Sequence, residues 1–151
     1  MEVTYRLATQ DDIDLLVEQR LDFIQVSENS SDYEMIKASC YAYFEKALLH
    51  QTCDVVLAEE SGVCIGTGIA FYYDSVPSIL NPAGKNAYIT SMYVKPEYRC
   101  AGIGNNILMR IIECAKEKDY NIIMLNASTM GRPMYEKVGF TEIRGGMILE
   151  V

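Results

Sequence analysis

The sequence has one histidine among its 151 residues, and its five cysteines form no C-x-x-C pair. A Ser-His-Asp triad or a histidine metal centre needs a histidine held by its partners, whereas His50 falls at the predicted end of a helix. The wide cysteine spacing excludes zinc-ribbon and thiol-redox motifs, and the odd number predicts reduced, mostly buried thiols. No metal site is expected. The cysteines are Cys40, Cys53, Cys64, Cys100 and Cys114.

Long apolar runs and basic residues are also scarce. Charges interrupt every 20-residue window, so no membrane span is expected, and residues 1–6 lack the basic and apolar regions of a signal peptide. Lys and Arg number 13 against 21 Asp and Glu, and the resulting net charge of −8 repels phosphate backbones and anionic lipids. These features predict a cytoplasmic protein that binds neither nucleic acid nor membrane.

The charge is uneven along the chain. Residues 1–76 carry 14 acidic and 4 basic side chains, whereas residues 77–151 carry 7 acidic and 9 basic ones. An anionic ligand would therefore be better accommodated by the second half and a cationic ligand by the first, although ordinary surface variation explains the difference equally well.

Hydrophobic periodicity predicts a single α/β domain over residues 1–151, with a mixed sheet and helices on its faces. The element order is β-α-α-β-β-β-α-β-α-β-β. Ser61-Gly62 and Gly145-Gly146 are expected to be hairpin turns, and the apolar run at 122–125 a strand covered on both faces. The predicted strands cover residues 3–8, 54–59, 63–73, 86–94, 122–125, 140–144 and 147–151, and the helices residues 9–24, 32–50, 102–118 and 131–138. The inner stripe of the third helix comprises Ile103, Ile107, Leu108, Ile111, Ile112 and Ala115.

The stretch YITSMYVKPEYRCAGIGNN, residues 88–106, combines a strand, a proline-broken turn and a glycine-rich helix start. A helix N-terminus offers unpaired N–H donors and partial positive charge, which suit phosphate. A Rossmann site needs a complete G-x-G-x-x-G after the first strand, and a P-loop needs Gly-Lys-Ser/Thr; both are missing. The remaining pattern, Arg-x-x-Gly-x-Gly at 99–104, is the kind used by pyrophosphate-binding acyl-CoA sites, with a purely structural turn as the alternative.

Three segments resemble the GNAT family of acetyl-CoA-dependent N-acetyltransferases. YRLATQDDIDLLVEQR is similar to the first strand and helix of the family, SMYVKPEYRCAGIGNNIL to its acetyl-CoA motif, and LNASTMGRPMYEKVGF to its closing strand and helix with a Tyr-x-Lys-x-Gly-Phe signature. They occur in the family's order and cover most of the chain outside residues 25–85. The resemblance implies the GNAT fold and acetyl-CoA as co-substrate.

The resemblance also implies roles for individual residues. The strand at 92–94 would splay from its parallel neighbour and present backbone groups to the pantetheine arm, and a backbone N–H near Met92 would polarise the thioester carbonyl. Asn126 would bind the amide arm, and Tyr135 would protonate the departing thiolate, for which a phenol has a suitable pKa. Tyr135 could alternatively be a half-buried core residue. The implied cofactor-binding residues are Met92, Tyr93, Val94, Arg99, Cys100, Ala101, Gly102, Ile103, Gly104 and Asn126.

Two features depart from the family pattern. Cys100 stands where the family often has glycine, and its position beside Arg99 at a helix N-terminus is also compatible with a reactive thiol. The strand at 88–94 holds no acidic residue, although many family members place a glutamate there as general base. Glu28, Asp32 and Asp74 are candidates from elsewhere, or the amine arrives neutral and needs no strong base.

The sequence thus predicts an N-acetyltransferase that moves acetyl from acetyl-CoA to a primary amine of a small molecule or peptide by direct attack in a ternary complex. The alternative is a non-catalytic acyl-CoA-binding sensor; a mononucleotide-binding protein rests on G-x-G alone. Acceptor specificity is expected in residues 20–40 and 72–86, with Arg20 and Phe23 at the site and tyrosine rings able to hold a cation. A homodimer through the final hairpin is compatible with the sequence but not required by it. The tyrosines are Tyr33, Tyr72, Tyr73 and Tyr93.

Overall fold

A computed structural model describes residues 2–151. Its sheet has five strands in the order of the sequence, β1 to β5, and only the last pair, β4 with β5, is parallel. The strands are β1 Val3–Leu7, β2 Cys53–Glu60, β3 Val63–Asp74, β4 Lys85–Val94 and β5 Ile122–Leu125. The helices are α1 Ile13–Ile24, α2 Tyr33–Leu49, α3 Ile103–Glu117 and α4 Arg132–Val138, with short 3-10 turns at Gln10–Asp12 and Pro96–Tyr98.

The helices divide between the two faces of the sheet and create two apolar cores. On one face α3 packs against alternate residues of β2, β3 and β4; on the other, α1 and α2 cover the remaining alternate residues of β2 and β3. The predicted inner stripe of α3 is confirmed, since all six of its residues are buried. Residues 55–58 of β2 alternate between the two cores, which explains why β2 is buried along most of its length.

Helix α3 lies unusually close to β3 because β3 carries a glycine under it. A Cβ atom on Gly68 would stand 2.5 Å from the side chain of Ile107 and 2.8 Å from that of Ile111. A larger residue at this position would force these side chains, and Sδ of Met92 at 2.6 Å, to move. The middle of α3 therefore packs directly on the centre of β3.

The observed turns and helix caps are those that the sequence predicts. Ser61 and Gly62 both have positive φ, 51° and 77°, as a two-residue turn between antiparallel strands requires. Thr9 and Asp12 form the predicted capping box before α1. Pro133 lies in the first turn of α4, and Gly139 ends that helix with φ 111°. These predictions are confirmed.

The predicted hairpin at 140–151 is wrong for this structure, which assigns no strand to those residues. A two-stranded ribbon is marginal by itself and needs an apolar face to lie on, and residues 141–151 are exposed instead. The prediction that β5 is covered on both faces is also wrong, since its four residues are only half-buried. No helix within residues 2–151 is long and apolar enough to span a membrane.

Candidate active site

Strand β4 contains a bulge at its centre. Thr90 pairs with Ile69 and Tyr93 pairs with Thr67, so Ser91 and Met92 together face the single residue Gly68. Ser91 has φ 51°, a left-handed conformation rare for a residue with a side chain, and it is buried. A bulge leaves its extra residue out of the ladder, so backbone hydrogen-bonding groups become available beside Met92.

Helix α1 holds the bulge in place through Arg20. The Nη1 group of Arg20 donates a hydrogen bond of 2.7 Å to Oγ of Ser91, and the guanidinium lies 5.6 Å from the centre of the Phe23 ring. Within residues 2–151, no carboxylate lies within 4.0 Å of a nitrogen of Arg20. The predicted acceptor-site residues Arg20 and Phe23 are therefore next to the bulge, and the charge of Arg20 is not neutralised there.

Strands β4 and β5 stop pairing just before the bulge. Their parallel pairs run from Asn86 with Ile122 to Ile89 with Leu125 and then stop. Strand β4 continues for five more residues, Thr90–Val94, whereas the chain leaves the sheet after Leu125. The C-terminal half of β4 consequently has an open edge on its β5 side, which is the splayed geometry that the sequence predicts for residues 92–94.

The glycine-rich loop follows directly after this open edge. Nε of Arg99 donates to the carbonyl oxygen of Val94 at 3.0 Å, which ties the loop to the end of β4. Cys100 and Gly102 both adopt left-handed conformations, with φ 62° and 79°, and they turn the chain into α3. Residues 99–102 are exposed, so a ligand has access to the loop.

The N-terminus of α3 is open to an anion. The first N–H of the helix that finds a helical acceptor is that of Asn106, which donates to the carbonyl oxygen of Gly102 at 3.1 Å. The preceding N–H groups of Ile103, Gly104 and Asn105 have no intrahelical acceptor, and Gly102 supplies no capping side chain. No acidic side chain lies in the first turn of this helix. The helix dipole and Arg99 thus favour a negatively charged ligand here.

Tyr135 and Asn126 line one cavity of about 380 Å³, between β5, α4 and residues 140–143. The Tyr135 ring meets Phe140 edge to face, with ring centres 5.9 Å apart, and only 7% of the residue is exposed. Burial raises the pKa of the Tyr135 phenol above its ordinary value, so it remains protonated at neutral pH. Helix α4 also approaches the loop, since Sδ of Met134 would stand 3.4 Å from a Cβ on Gly104.

The structure brings together most, but not all, of the residues that the sequence singles out. The bulge, the open edge, the loop and α4 are neighbours. The candidate bases Glu28, Asp32 and Asp74 are exposed and none of them donates to or accepts from a residue of these elements, and His50 follows the last residue of α2. Among residues 2–151 no group of three or more His, Cys, Asp and Glu side chains could hold a metal ion. We assign no general base.

The placement of Tyr72 in the acceptor site is wrong. Tyr72 is buried on the α3 face, where its hydroxyl donates to Oδ2 of Asp54 at 2.6 Å and its ring stacks on Tyr120. Lys118 forms an ion pair with the same carboxylate at 2.5 Å, with its Nζ 4.9 Å from the Tyr72 ring centre. Tyr73, the next residue, lies near Phe71 and is exposed. The pairing register of β3 determines which face of the sheet each tyrosine occupies, and the sequence does not fix that register.

Two features of the structure had no clear signal in the sequence. The first feature is the left-handed backbone of Ser91, since a serine within a β-rich run does not indicate a bulge. The Asp54–Lys118–Tyr72 cluster is the other, and it joins β2, β3 and the C-terminal end of α3. The cluster lies at the opposite end of α3 from the glycine-rich loop, so it stabilises the scaffold and not the site.

Comparison with known proteins agrees with this geometry. The family model described as "Acetyltransferase (GNAT) family" matches residues 18–140. The chain belongs to the GNAT family. A predicted acetyltransferase from Clostridium acetobutylicum, crystallised with acetyl-CoA, is 32% identical with a TM-score of 0.88, over 99% of this chain and 96% of that one. A GCN5-related N-acetyltransferase from Ralstonia eutropha has a TM-score of 0.85 at 20% identity and covers 99% of both chains, which shows a shared fold.

Among curated GNAT relatives, thialysine N-epsilon-acetyltransferase of Bos taurus is 31% identical over 88 residues. The match covers 56% of this chain and 49% of the relative. The chain thus spans about half the length of the curated relatives that it matches most strongly. The GNAT fold predicted from the sequence is confirmed by the family model and by these structures.

Proposed function

We propose that this GNAT chain is an acetyl-CoA-dependent N-acetyltransferase that transfers acetyl to a primary amine by direct attack in a ternary complex. The observation that carries the proposal is a set of four features along one edge of the sheet. They are the Ser91 bulge, the open end of β4, the uncapped N-terminus of α3, and Tyr135 on the adjoining helix. A donor thioester and an acceptor amine brought into contact on this edge gain much of the rate from positioning alone.

The loop and α3 bind the pyrophosphate of the co-substrate. Backbone N–H groups at Ile103 and Gly104 and the guanidinium of Arg99 supply the donors and the positive charge. Cys100 and Ala101 contribute backbone only, since the turn is built from main-chain conformation. The exposure of the loop and the absence of an acidic side chain from the first turn of α3 support the binding of a pyrophosphate at this position.

The pantetheine arm lies along the open edge of β4. Met92, Tyr93 and Val94 offer backbone groups that β5 leaves unpaired, and Asn126 binds an amide from the other side. The thioester carbonyl then reaches the bulge, where a backbone N–H near Met92 stabilises the oxyanion that develops as the amine attacks.

Tyr135 acts as the general acid. The amine nitrogen attacks the carbonyl carbon, the carbon–sulfur bond breaks, and the departing thiolate takes the phenolic proton while the product loses its ammonium proton to solvent. The raised pKa of Tyr135 keeps the proton on the phenol until a thiolate forms beside it. The acceptor is a small-molecule or peptide amine; the thialysine N-epsilon-acetyltransferase relatives favour a side-chain amine of an amino acid.

The first test separates an enzyme from a sensor. Titration calorimetry with acetyl-CoA, with ATP and NAD as controls, is expected to show binding of acetyl-CoA alone. Thiol release in the presence of a panel of primary amines is then expected to show turnover with at least one of them. Binding without turnover across the panel would favour a non-catalytic acyl-CoA sensor, and no binding would contradict the assignment of the loop.

The second test concerns Tyr135. The change Tyr135→Phe is expected to lower kcat about 100-fold, the lower end of typical general-acid effects, because water must then protonate the thiolate. Affinity for acetyl-CoA should stay the same, since the hydroxyl acts only on the leaving group. Tyr43→Phe, at an exposed tyrosine on α2, is the matched control. A kcat unchanged by Tyr135→Phe would remove the residue from the mechanism.

A further inference from the structure

Arg20 differs from the other arginines of residues 2–151 in its burial and in its partners. It is half-buried, whereas the other five are exposed. Its hydrogen bond goes to a neutral acceptor, Oγ of Ser91, and no carboxylate of the described chain lies within 4.0 Å of it. A guanidinium is seldom withdrawn from water without an anion beside it. The five exposed arginines are Arg6, Arg99, Arg110, Arg132 and Arg144.

The neighbours of Arg20 do not neutralise its charge. Phe23 presents an aromatic ring to the guanidinium. On α2, burial raises the pKa of the Cys40 thiol and the charge of Arg20 opposes that rise, so the thiol beside the guanidinium is neutral at pH 7. The acids next to Arg20 along α1 are Glu18 and Asp22, which are exposed, and helix residues two positions apart do not face each other.

Most donors of this guanidinium are unused and accessible. The group carries five N–H donors in a planar fork, and Nη1 is the nitrogen that bonds to Ser91. Within residues 2–151, no buried side-chain nitrogen lacks a hydrogen-bond partner. Nε and Nη2 of Arg20 have no partner there, so both are reachable from outside. Contact with the Phe23 ring restrains the fork, and a carboxylate fits such a fork with both of its oxygens.

The fork lies beside the bulge, away from the loop proposed for the pyrophosphate. Ser91 directly precedes Met92, and consecutive Cα atoms are about 3.8 Å apart. Arg20 belongs to α1, whereas the N-terminus of α3 lies on the opposite face of the sheet. An anion on Arg20 is therefore distinct from the pyrophosphate, and the acceptor is the other molecule that reaches the bulge.

We propose that the acceptor is an amine that also carries a carboxylate, and that Arg20 binds this carboxylate. The inference rests on the proposed function, because it assigns the acceptor to the bulge. One guanidinium balances one carboxylate, whereas a phosphate monoester carries a charge of about −2 and would stay unbalanced in the acidic first half. The 14 acidic and 4 basic side chains of residues 1–76 attract the ammonium group. Acceptors with positive charge alone are repelled by Arg20.

Matched acceptors test the carboxylate. Each amino acid is compared with its carboxamide and with the amine that lacks the carboxyl group, as lysine is compared with lysinamide and cadaverine. Thiol release is expected to give the acid a kcat/KM about 10- to 100-fold above either analogue, the range for a hydrogen bond to a charged group. Equal values, or faster acetylation of the analogues, would overturn the inference. So would a preference for phosphoethanolamine over β-alanine.

The change Arg20→Met tests whether this residue recognises the carboxylate. The ratio of kcat/KM between acid and analogue is expected to fall to about one. A role in holding the bulge alone would lower kcat for acid and analogue alike and leave the ratio unchanged, which would contradict the proposal. Arg20→Lys keeps the charge and should keep part of the ratio. Arg110→Met, at an exposed arginine of α3, is the control and should keep the full ratio.

A binding measurement decides the proposal without turnover. In the chain saturated with CoA, the NMR signal of the Arg20 Nε–H group, identified by its loss in Arg20→Lys, is expected to shift with the amino acid and not with its carboxamide. No shift with any carboxylate of the panel would overturn the inference. A shift without thiol release from any amine would contradict the proposed function and leave the carboxylate site standing. Acetylation of diamines as fast as of amino acids would support the function and remove the site.

Discussion

At the scale of single residues, Cys100 is the most strained position of the candidate cofactor loop. Its φ of 62° puts Cβ close to the following carbonyl oxygen, which costs roughly 1–2 kcal/mol for a residue other than glycine. Glycine avoids that cost but loses about 0.5–1 kcal/mol through the entropy of the unfolded chain. The advantage of glycine at this position is thus conformational. A change of side chain leaves the hydrogen-bond donors of the loop in place because they are backbone groups.

The change Cys100→Gly is expected to raise the free energy of unfolding by about 0.5–1 kcal/mol, the difference between these two effects. The affinity for acetyl-CoA should not fall. Urea unfolding and calorimetry measure the two quantities. Cys100→Ala is the control, since alanine keeps the Cβ atom and the strain; equal stabilisation by alanine would show that strain at Cβ is not the cause.

At the scale of elements, the contact between α1 and β4 determines the shape of the bulge. Arg20 reaches from α1 to the hydroxyl of Ser91, the residue whose left-handed backbone creates the bulge. Arg20 is thus a positioning residue for the backbone beside Met92. A hydrogen bond from a charged donor to a buried hydroxyl contributes about 1.5–3 kcal/mol to the geometry that it holds.

The change Arg20→Met keeps the length of the side chain and removes the hydrogen bond. We expect kcat to fall about tenfold, equivalent to about 1.4 kcal/mol of transition-state stabilisation, while the affinity for acetyl-CoA changes little. Arg20→Lys should recover part of kcat. Arg110→Met is the matched control, at an exposed arginine of α3 over the Tyr5 ring. Equal kcat for Arg20→Met and the control would show that the bulge does not depend on Arg20.

Elements governed by local chemistry were predictable from the sequence, and those governed by distant partners were not. The Ser61-Gly62 turn, the Gly139 cap and the apolar stripe of α3 each follow from residues a few positions apart. The bulge at Ser91 depends on Gly68 of β3 and Arg20 of α1, and the facing of Tyr72 depends on strand register. The hairpin at 140–151 failed for the same reason, because its stability depends on an apolar face that the single chain does not bring to it.

At the scale of the whole molecule, an ion network at the N-terminal edge makes stability depend on pH. The guanidinium of Arg6 donates to Asp12 and to Glu59, each at 2.8 Å, and so joins β1, the start of α1 and β2. The hydrogen bond from Arg6 is the main reason that the pKa of Asp12 falls from 3.8 to about 2, with burial opposing the shift. A carboxyl group with a lowered folded-state pKa stabilises the fold above its unfolded value and loses that contribution as the pH falls through its folded value.

The change Asp12→Asn is therefore expected to reduce stability at neutral pH by about 1 kcal/mol, a figure discounted because Arg6 is 42% exposed and solvent screens the pair. The difference from the unmodified chain should shrink between about pH 4 and about pH 2, where Asp12 becomes protonated in both states. Urea unfolding across this pH range is the measurement. Asp11→Asn, next in sequence but outside the network, should show no such change; a constant difference at every pH would contradict the linkage.

The short parallel ladder between β4 and β5 also affects how the two parts of the candidate site are joined. The bulge and the glycine-rich loop belong to the chain on one side of that ladder, whereas Asn126 and Tyr135 follow it on the other. Four residue pairs, Asn86–Ile89 with Ile122–Leu125, are the strand-to-strand connection between those parts within residues 2–151. The width of the cleft therefore depends on these four pairs and on the packing of Leu125 and Tyr135 into the core under α3.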